Sequence, residues 1–286
     1  MLRIALPNKG RLADDTRALL GDAGLEVRAS GERALTASLG GEFQALFLRA
    51  QDIPEFVADG AADAGVTGLD LVAESDRPLD SLLDLGFGRC RLVVAAREGS
   101  GIGAVADITG HPRVATSFPR LTERFFAERE RPIELVPLSG AAEIAPHLGI
   151  ADVIVDLTST GSTLRVNGLV ELETILESTA QLVVARGARA GAKARAFEEL
   201  TTALESVLRA RGKRYVMANV PRATLDRVRA ILPGISGPTV VNVLDGDRMV
   251  AVHAVVEARA IYRAIADLKA IGAEGILVTR IERLMP

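Results

Sequence analysis

Residues 143–164, EIAPHLGIADVIVDLTSTGSTL, constrain the fold of this chain more than any other stretch. Val153-Ile154-Val155 is a short β-branched run suited to a buried strand, with an acidic residue on each side, Asp152 and Asp156. Thr158, Ser159, Thr160, Gly161, Ser162 and Thr163 follow, and then the helix-like TLRVNG. The order is strand, carboxylate, hydroxyl-and-glycine loop, helix start. Amides at a helix N-terminus are unpaired and sit at the positive end of the helix dipole, so such a loop can hold a phosphate. Gly161 lets the backbone close on a ligand, and the hydroxyls add donors. A carboxylate such as Asp156 cannot hold phosphate, but it accepts hydrogen bonds from a sugar diol or ligates Mg²⁺. The pattern points to a sugar phosphate. The same residues also suit an ordinary helix cap with Asp156 as a turn former, so the decision rests on the rest of the chain.

Other strand ends carry similar chemistry. Leu2 to Leu6 reads as a strand, followed by the loop PNKGRL with Lys9 and Arg11, and by a helix from Leu12 to Leu20. Phe43 to Leu48 is a strand leading to Arg49 and to DIPEFVADG, a short helix with proline in its first turn. Asp63 to Gly68 is a strand ending in glycine, Arg89 to Ala95 is apolar and extended, and Arg113 to Thr116 ends at Ser117. Strands alternating with helices argue an α/β protein with a largely parallel sheet, whose ligands bind beyond the strand carboxyl ends. Loops 7–11, 49–54, 65–68, 116–117 and 156–163 all fall at such ends. That agreement favours a ligand cleft over a set of unrelated caps.

Residues 181–185 read as a further strand, and a helix from Ala196 to about Arg209 carries Phe197, Leu200, Leu204 and Leu208 on one stripe. Arg211 to Arg214 marks a composition shift. Beyond it come a strand at 215–220, a helix at 223–232, strands at 239–244 and 249–256 joined by a hairpin turn at Asp245-Gly246-Asp247, a helix at 257–271 and a last strand at 275–281. This is βαββαβ, the split ferredoxin-like pattern. Residues 211–286 carry a charge of +5 against −8 for residues 1–210, and the basic groups are dispersed without aromatic partners. RNA binding by this segment is therefore weakly supported.

Several classes are excluded or disfavoured. A single cysteine, Cys90, leaves no disulfide framework and no paired-cysteine zinc site. There is no GxxxxGK[ST], GxGxxG or HExxH, and His111, His147 and His253 lie far apart. With a net charge of −3 and 3% aromatic residues, the chain as a whole gives no reason to expect a nucleic-acid partner. No apolar run approaches bilayer length and no signal-peptide core opens the chain, so the expectation is a cytoplasmic protein without a membrane partner.

The pattern E-x5-G-x-A-x2-I-x-D-L-x2-T-G-x-T-L at residues 143–164 resembles the signature of the ATP phosphoribosyltransferase family, which catalyses the first step of histidine biosynthesis. NKGRL, RAQDIP, DAGVTG and ATSFP stand in the family's order, and residues 211–286 resemble the extra domain of its long form. Ala50 departs from the family's frequent proline after the arginine.

The resemblance implies a type II periplasmic-binding-protein-like core of two lobes, with the active site in the cleft between them. Lobe one would be 1–88 plus 180–206, lobe two 89–179, and residues 211–286 a regulatory histidine-binding domain. It implies transfer of phosphoribosyl from phosphoribosyl pyrophosphate to N1 of ATP with Mg²⁺, feedback inhibition by histidine, and a homo-oligomer, dimer to hexamer. Carried onto this chain, Thr158, Ser159, Thr160, Gly161, Ser162 and Thr163 would cradle the 5-phosphate. Asp156, supported by Asp152 or Glu143, would hold the ribose diol or Mg²⁺. Lys9 and Arg49 would take the pyrophosphate, converging across the cleft, and Arg11 the ATP phosphates. Histidine would meet Asn219, the Ile235–Thr239 turn including Gly237, and the backbone near Gly275. Asn219 is neutral at a place where an acidic residue would pair the ligand's ammonium group. A non-catalytic ligand-binding or regulatory protein on the same fold is the alternative; a secreted binding protein would need a signal peptide, and a regulatory paralogue would be expected to lose the phosphate loop, which is intact.

Overall fold

Ile4, Ala5 and Leu6 are all buried, so the first strand is covered on both faces and must lie inside a sheet. The computed structural model describes residues 1–286 except 30, 32–33, 189–190, 192, 245–247 and 286. The chain divides into two compact units, Met1–Thr201 and Thr202–Pro286.

The first unit holds two sheets. One is built from β1 (Arg3–Pro7), β2 (Val27–Ala29), β3 (Thr36–Leu39), β4 (Phe43–Leu48), β5 (Ala64–Gly68) and β6 (Leu79–Asp84), with helices α1 (Ala13–Asp22), α2 (Ile53–Ala58) and α3 (Leu69–Ser75) between strands. The chain then crosses to the second sheet: β7 (Cys90–Arg97), β8 (Arg113–Thr116), α4 (Pro119–Ala127), β9 (Glu134–Pro137), β10 (Val153–Thr158), α5 (Ser162–Val166) and β11 (Leu169–Ser178). It returns to the first sheet as β12 (Ala180–Ala185), followed by α6 (Ala194–Ala210). Strand orders are β2-β3-β4-β1-β5-β12-β6 and β11-β7-β10-β8-β9. Two sheets linked by two crossovers form a two-lobe core of the type II periplasmic-binding-protein kind.

The second sheet explains the reading of VIV as a buried strand. Val153 and Val155 pack with Leu92, Val94 and Phe125 on one face, while Ile154 packs with Val93, Ala95 and Leu164 on the other. Each fully buried side chain of this size contributes roughly 1.5–3 kcal/mol. β10 runs on to Thr158, so Asp156 stands within the strand and not after it.

The expectation of a largely parallel sheet needs correction. β1 pairs parallel with β4 and β5, but β12 is antiparallel to β5 and β6, and β7 is antiparallel to β10 and β11. The chain leaves the first sheet after β6 and returns as β12, inserted between β5 and β6 and antiparallel to both. The helix-like TLRVNG is also shorter than it reads: α5 has five residues and Asn167-Gly168 turns into β11.

In the second unit, β13 (Lys213–Pro221), α7 (Leu225–Ile231), β14 (Thr239–Asn242), β15 (Met249–Glu257), α8 (Ile261–Ala270) and β16 (Glu274–Arg280) form the ferredoxin-like βαββαβ order, with strands arranged β14-β15-β13-β16. Val216, Ala218, Val220, Val250 and Val252 pack with Val228, Leu232 and Leu268 of the helical layer. The alternate residues Met217, Asn219, Ala251 and His253 face away from that core. The expected hairpin turn at Asp245-Gly246-Asp247 lies outside the described residues. Among the described residues no helix is long and apolar enough to cross a membrane.

Candidate active site

In register, Pro7 of β1 lies opposite Leu48 of β4, so the loops that follow both strands emerge side by side at one edge of the first lobe. The Asn8 amide donates to the Leu48 carbonyl at 2.8 Å, and Thr67 Oγ1 donates to the Ala50 carbonyl at 2.8 Å, tying this edge to β5. Lys9 and Arg49 are exposed there. They occupy neighbouring loops of one lobe rather than opposite walls.

Arg11 is engaged differently. Its guanidinium donates to the Gly88 carbonyl and lies 3.5 Å from Asp70 Oδ2. Asp70, at the start of α3, is 1% exposed, and its Oδ1 accepts from Ser178 Oγ at 2.5 Å. The Asp70 amide in turn donates to Ser178 Oγ at 3.0 Å. A Cβ on Gly68 would stand 2.1 Å from Asp70 Oδ1, so the carboxylate can fold back over the helix start only because residue 68 is glycine. Gly88 belongs to the first crossover, and Ser178 is the last residue before the second. One buried carboxylate therefore clasps both crossovers. Backbone bonds reinforce the joint: Leu69 N to Thr179 O at 3.0 Å and Ala180 N to Phe87 O at 2.9 Å. Cys90 lies opposite Ser178 in register, and burial pushes its thiol pKa up, with the Asp70 charge acting the same way. It is a packed thiol rather than a nucleophile.

Beside this clasp opens a cavity of about 690 Å³, lined by Leu69, Arg89, Cys90, Ser159, Ser178 and Thr179 among others. Ser159 brings the hydroxyl loop to it. The loop is partly folded on itself: the Gly161 amide donates to Thr158 Oγ1 at 2.9 Å, the Ser162 amide to Thr160 Oγ1 at 3.3 Å, and the Thr160 and Ser162 hydroxyls lie 2.8 Å apart. Gly161 has φ +73° and precedes α5, and a Cβ there would stand 3.0 Å from Arg165 Nη1. The amides of Ser159, Thr160 and Thr163 meet no acceptor among the described residues. They are open donors at the start of a short helix, of the kind an anion can meet.

Asp156 is half-buried on β10, and its Oδ1 accepts from the Leu157 amide at 2.7 Å. Burial raises its pKa, the amide bond opposes that, and the charge of Glu143 raises it further. Glu143 lies in the turn at 142–144, which packs on β10, and its charge reaches Asp156; Asp152 is placed elsewhere. Asp152 stands before the other end of β10, and its carboxylate accepts from the Arg113 amide at 2.8 Å, so its support for Asp156 is withdrawn. Loop 116–117 also has a structural role, since buried Thr116 Oγ1 accepts from the Phe118 amide at 2.9 Å ahead of α4.

Mg²⁺ is commonly held by one or two carboxylates plus substrate oxygens, a demand that Asp156 with Glu143 could meet. Among the described residues no cluster of three or more His, Cys, Asp or Glu side chains is placed to hold a metal by itself. Arg89, Asp70 and Ser178 were not singled out from sequence. The register that sets Arg91 of β7 opposite Thr158 of β10 is antiparallel, and a parallel reading could not bring the start of β7 to the phosphate loop.

In the second unit, Asn219 and Gly275 are adjacent, a Cβ on Gly275 falling 3.7 Å from Asn219 Nδ2. Thr239 pairs with His253 on β14 and β15, and the Gly237 amide closes a turn onto the Pro233 carbonyl at 3.0 Å. Ile235 lines a separate cavity of about 290 Å³ with Lys213, Glu257 and Arg263. His253 Nδ1 meets the Tyr215 hydroxyl at 2.5 Å, and His147 Nε2 meets the Asn167 carbonyl at 2.6 Å.

The chain is similar to known proteins over its whole length. The family model described as HisG, ATP phosphoribosyltransferase, matches residues 49–206, and the model of the HisG C-terminal domain matches residues 210–283. ATP phosphoribosyltransferase of Gemmatimonas aurantiaca is 68% identical over the whole of both chains. That of Halobacterium salinarum is 50% identical, covering 99% of this chain and 100% of its own. A solved structure, the ATP phosphoribosyl transferase (HisG:HisZ) complex from Thermotoga maritima, superposes with a TM-score of 0.63 at 29% identity, covering 72% of this chain and 99% of that one.

Proposed function

The chain belongs to the ATP phosphoribosyltransferase family, and from that membership we propose how its residues divide the reaction. It transfers phosphoribosyl from phosphoribosyl pyrophosphate to N1 of ATP, releasing pyrophosphate, as the first step of histidine biosynthesis. The observation that carries the assignment is the self-bonded loop 158–163 with its open amides, following directly on half-buried Asp156 of β10.

In this reading the open amides of Ser159, Thr160 and Thr163, with the hydroxyls of Ser159, Thr160, Ser162 and Thr163, take the 5-phosphate. Thr158 and Gly161 hold the loop's shape. Asp156 accepts from the ribose hydroxyls, with Glu143 beside it. Glycosyl transfer passes through an oxocarbenium-like centre, so positioning and charge compensation supply most of the rate. Lys9 and Arg49, exposed beyond the ends of β1 and β4, neutralise the leaving pyrophosphate, and Arg89 adds charge at the cavity wall. Adenine N1 is already a lone-pair nucleophile, so no histidine base is required. Arg11 moves from the ATP phosphates to the clasp, where it positions the crossovers. The family's enzymes generally depend on a metal. For this chain we assign Mg²⁺ to Asp156 and Glu143, where it would neutralise substrate oxygens.

The second unit is assigned histidine as inhibitor. A homo-oligomer, dimer to hexamer, in the cytoplasm completes the reading; exposed Val240, Val241 and Leu277 on edge strands β14 and β16 support self-association. The test is to mix protein, ATP, phosphoribosyl pyrophosphate and Mg²⁺, and follow pyrophosphate and ribosylated ATP. Both products should appear together. Product formation unaffected by loss of Lys9, Arg49 and Asp156 would refute the division of labour.

A further inference from the structure

Histidine carries an ammonium group, and desolvating that charge in a specific site requires an anion or several well-placed acceptors. Asn219 offers one neutral carbonyl. The register of the second unit supplies what Asn219 lacks.

Across the β13–β16 ladder, the Cα partner of Asn219 is Glu274, after a register shift between Met217 and Asn219. The intervening Gly275 has φ +59°, a left-handed conformation that accommodates the extra residue of the bulge. Residues directly opposite in an antiparallel pair project to the same face. Val216, Ala218 and Val220 point to the helical layer, so Asn219 and Glu274 share the face turned away from it. Both are exposed. No side chain at Gly275 fills the strip beside Asn219 Nδ2. Nearby positions on this face, Val241, Ala251, Met217 and Leu277, are uncharged, and among the described residues no ion pair engages Glu274. The carboxylate is therefore available, and a cationic ligand group would meet it without competition from those neighbours.

We propose that Glu274 supplies the carboxylate that receives the ammonium group of histidine, with Asn219 as the neutral hydrogen-bond partner beside it. The acidic function expected on β13 is thereby moved one strand over, to β16. This assignment rests on the second unit being the histidine site.

The test is calorimetric titration of the full chain with L-histidine and with 3-(imidazol-4-yl)propionate, which lacks the ammonium group. Wild type should bind histidine, and Glu274→Gln should weaken that binding by about tenfold or more, the scale of one charge-assisted hydrogen bond. The deaminated analogue should bind both proteins equally, which also shows the site to be folded. Asn219→Asp added to Glu274→Gln should restore histidine binding by returning a carboxylate to the neighbouring strand. Histidine binding equal in wild type and Glu274→Gln would overturn the role of Glu274 while leaving the histidine site in place. A wild type that neither binds histidine nor is inhibited by it would overturn the reading on which the proposal rests.

Discussion

In the proposed division of the reaction the loops after β1 and after β10 have different jobs, and they are built in opposite ways. The loop after β10 spends its own hydroxyls on its own amides, with Thr158 holding Gly161 and Thr160 holding Ser162. Its neighbours are the carboxylate of Asp156, which feels the charge of Glu143, and the Arg165 guanidinium beside Gly161. The loop after β1 presents cations; Lys9 is exposed and Arg11 is fixed to Asp70 and Gly88. The contrast separates two jobs. A sugar phosphate of fixed shape is best met by a preformed cradle, whereas a departing pyrophosphate needs charge that can follow it. The cradle gives shape and the opposite edge gives charge.

Breaking the cradle should have the largest effect. Gly161→Val places a β-branched residue at φ +73° and its Cβ against Arg165, a conformation costing of order 1–3 kcal/mol before any ligand contact is lost. We expect phosphoribosyl pyrophosphate affinity to fall about a hundredfold or more, while far-ultraviolet circular dichroism stays that of the wild type. Removing charge from the other side comes next. Arg49→Ala and Lys9→Ala should each lower kcat by about 10²-fold with smaller changes in KM, since their charge acts mainly on the leaving group. A pure KM effect would assign them to ground-state binding instead.

The clasp sharpens the comparison, because it joins the two crossovers between the lobes that carry the two loops. Ser178→Ala leaves the buried Asp70 carboxylate short of a partner and should lower stability by about 1–3 kcal/mol in a denaturant titration. Its kcat/KM should fall about tenfold; an unchanged value would show that lobe geometry does not depend on this bond. The smallest effect is that of pH. The raised pKa of Asp156 means that it protonates at a higher pH than an ordinary aspartate, so substrate affinity should fade early as the medium is acidified. Glu143→Gln removes one cause of the shift and should move that acid limb to lower pH. A limb that moves upward, or stays, would separate Glu143 from Asp156.

Much of this was legible from residues in line. The β-branched run, the carboxylate, the hydroxyls and the glycine lie within a dozen positions, and their order marks a strand followed by a helix start, which the other strand ends turn from a plain cap into a candidate cradle. The ferredoxin-like unit was legible for the same reason, since each strand and helix there has clean periodicity. What was hidden depends on partners distant in sequence. Asp70 and Ser178 are 108 residues apart, and neither belongs to a motif of its own. β11 was missed because register shifts near Glu171 and Thr174 break its alternation. Asp152 and Asp156 look equivalent around VIV, but they belong to opposite ends of the strand, and only the topology tells which end meets the cleft. Arg11 reads as a free loop cation until the buried carboxylate behind it is placed.

The central claim, that Asp156 and the loop behind it hold the phosphoribosyl group while the opposite edge supplies charge, is tested most directly by equilibrium binding. Phosphoribosyl pyrophosphate and ATP would be titrated separately into wild type and Asp156→Asn in the presence of Mg²⁺. The account predicts that Asp156→Asn loses about a hundredfold in affinity for phosphoribosyl pyrophosphate and keeps its affinity for ATP. Equal affinity of both proteins for phosphoribosyl pyrophosphate would contradict it.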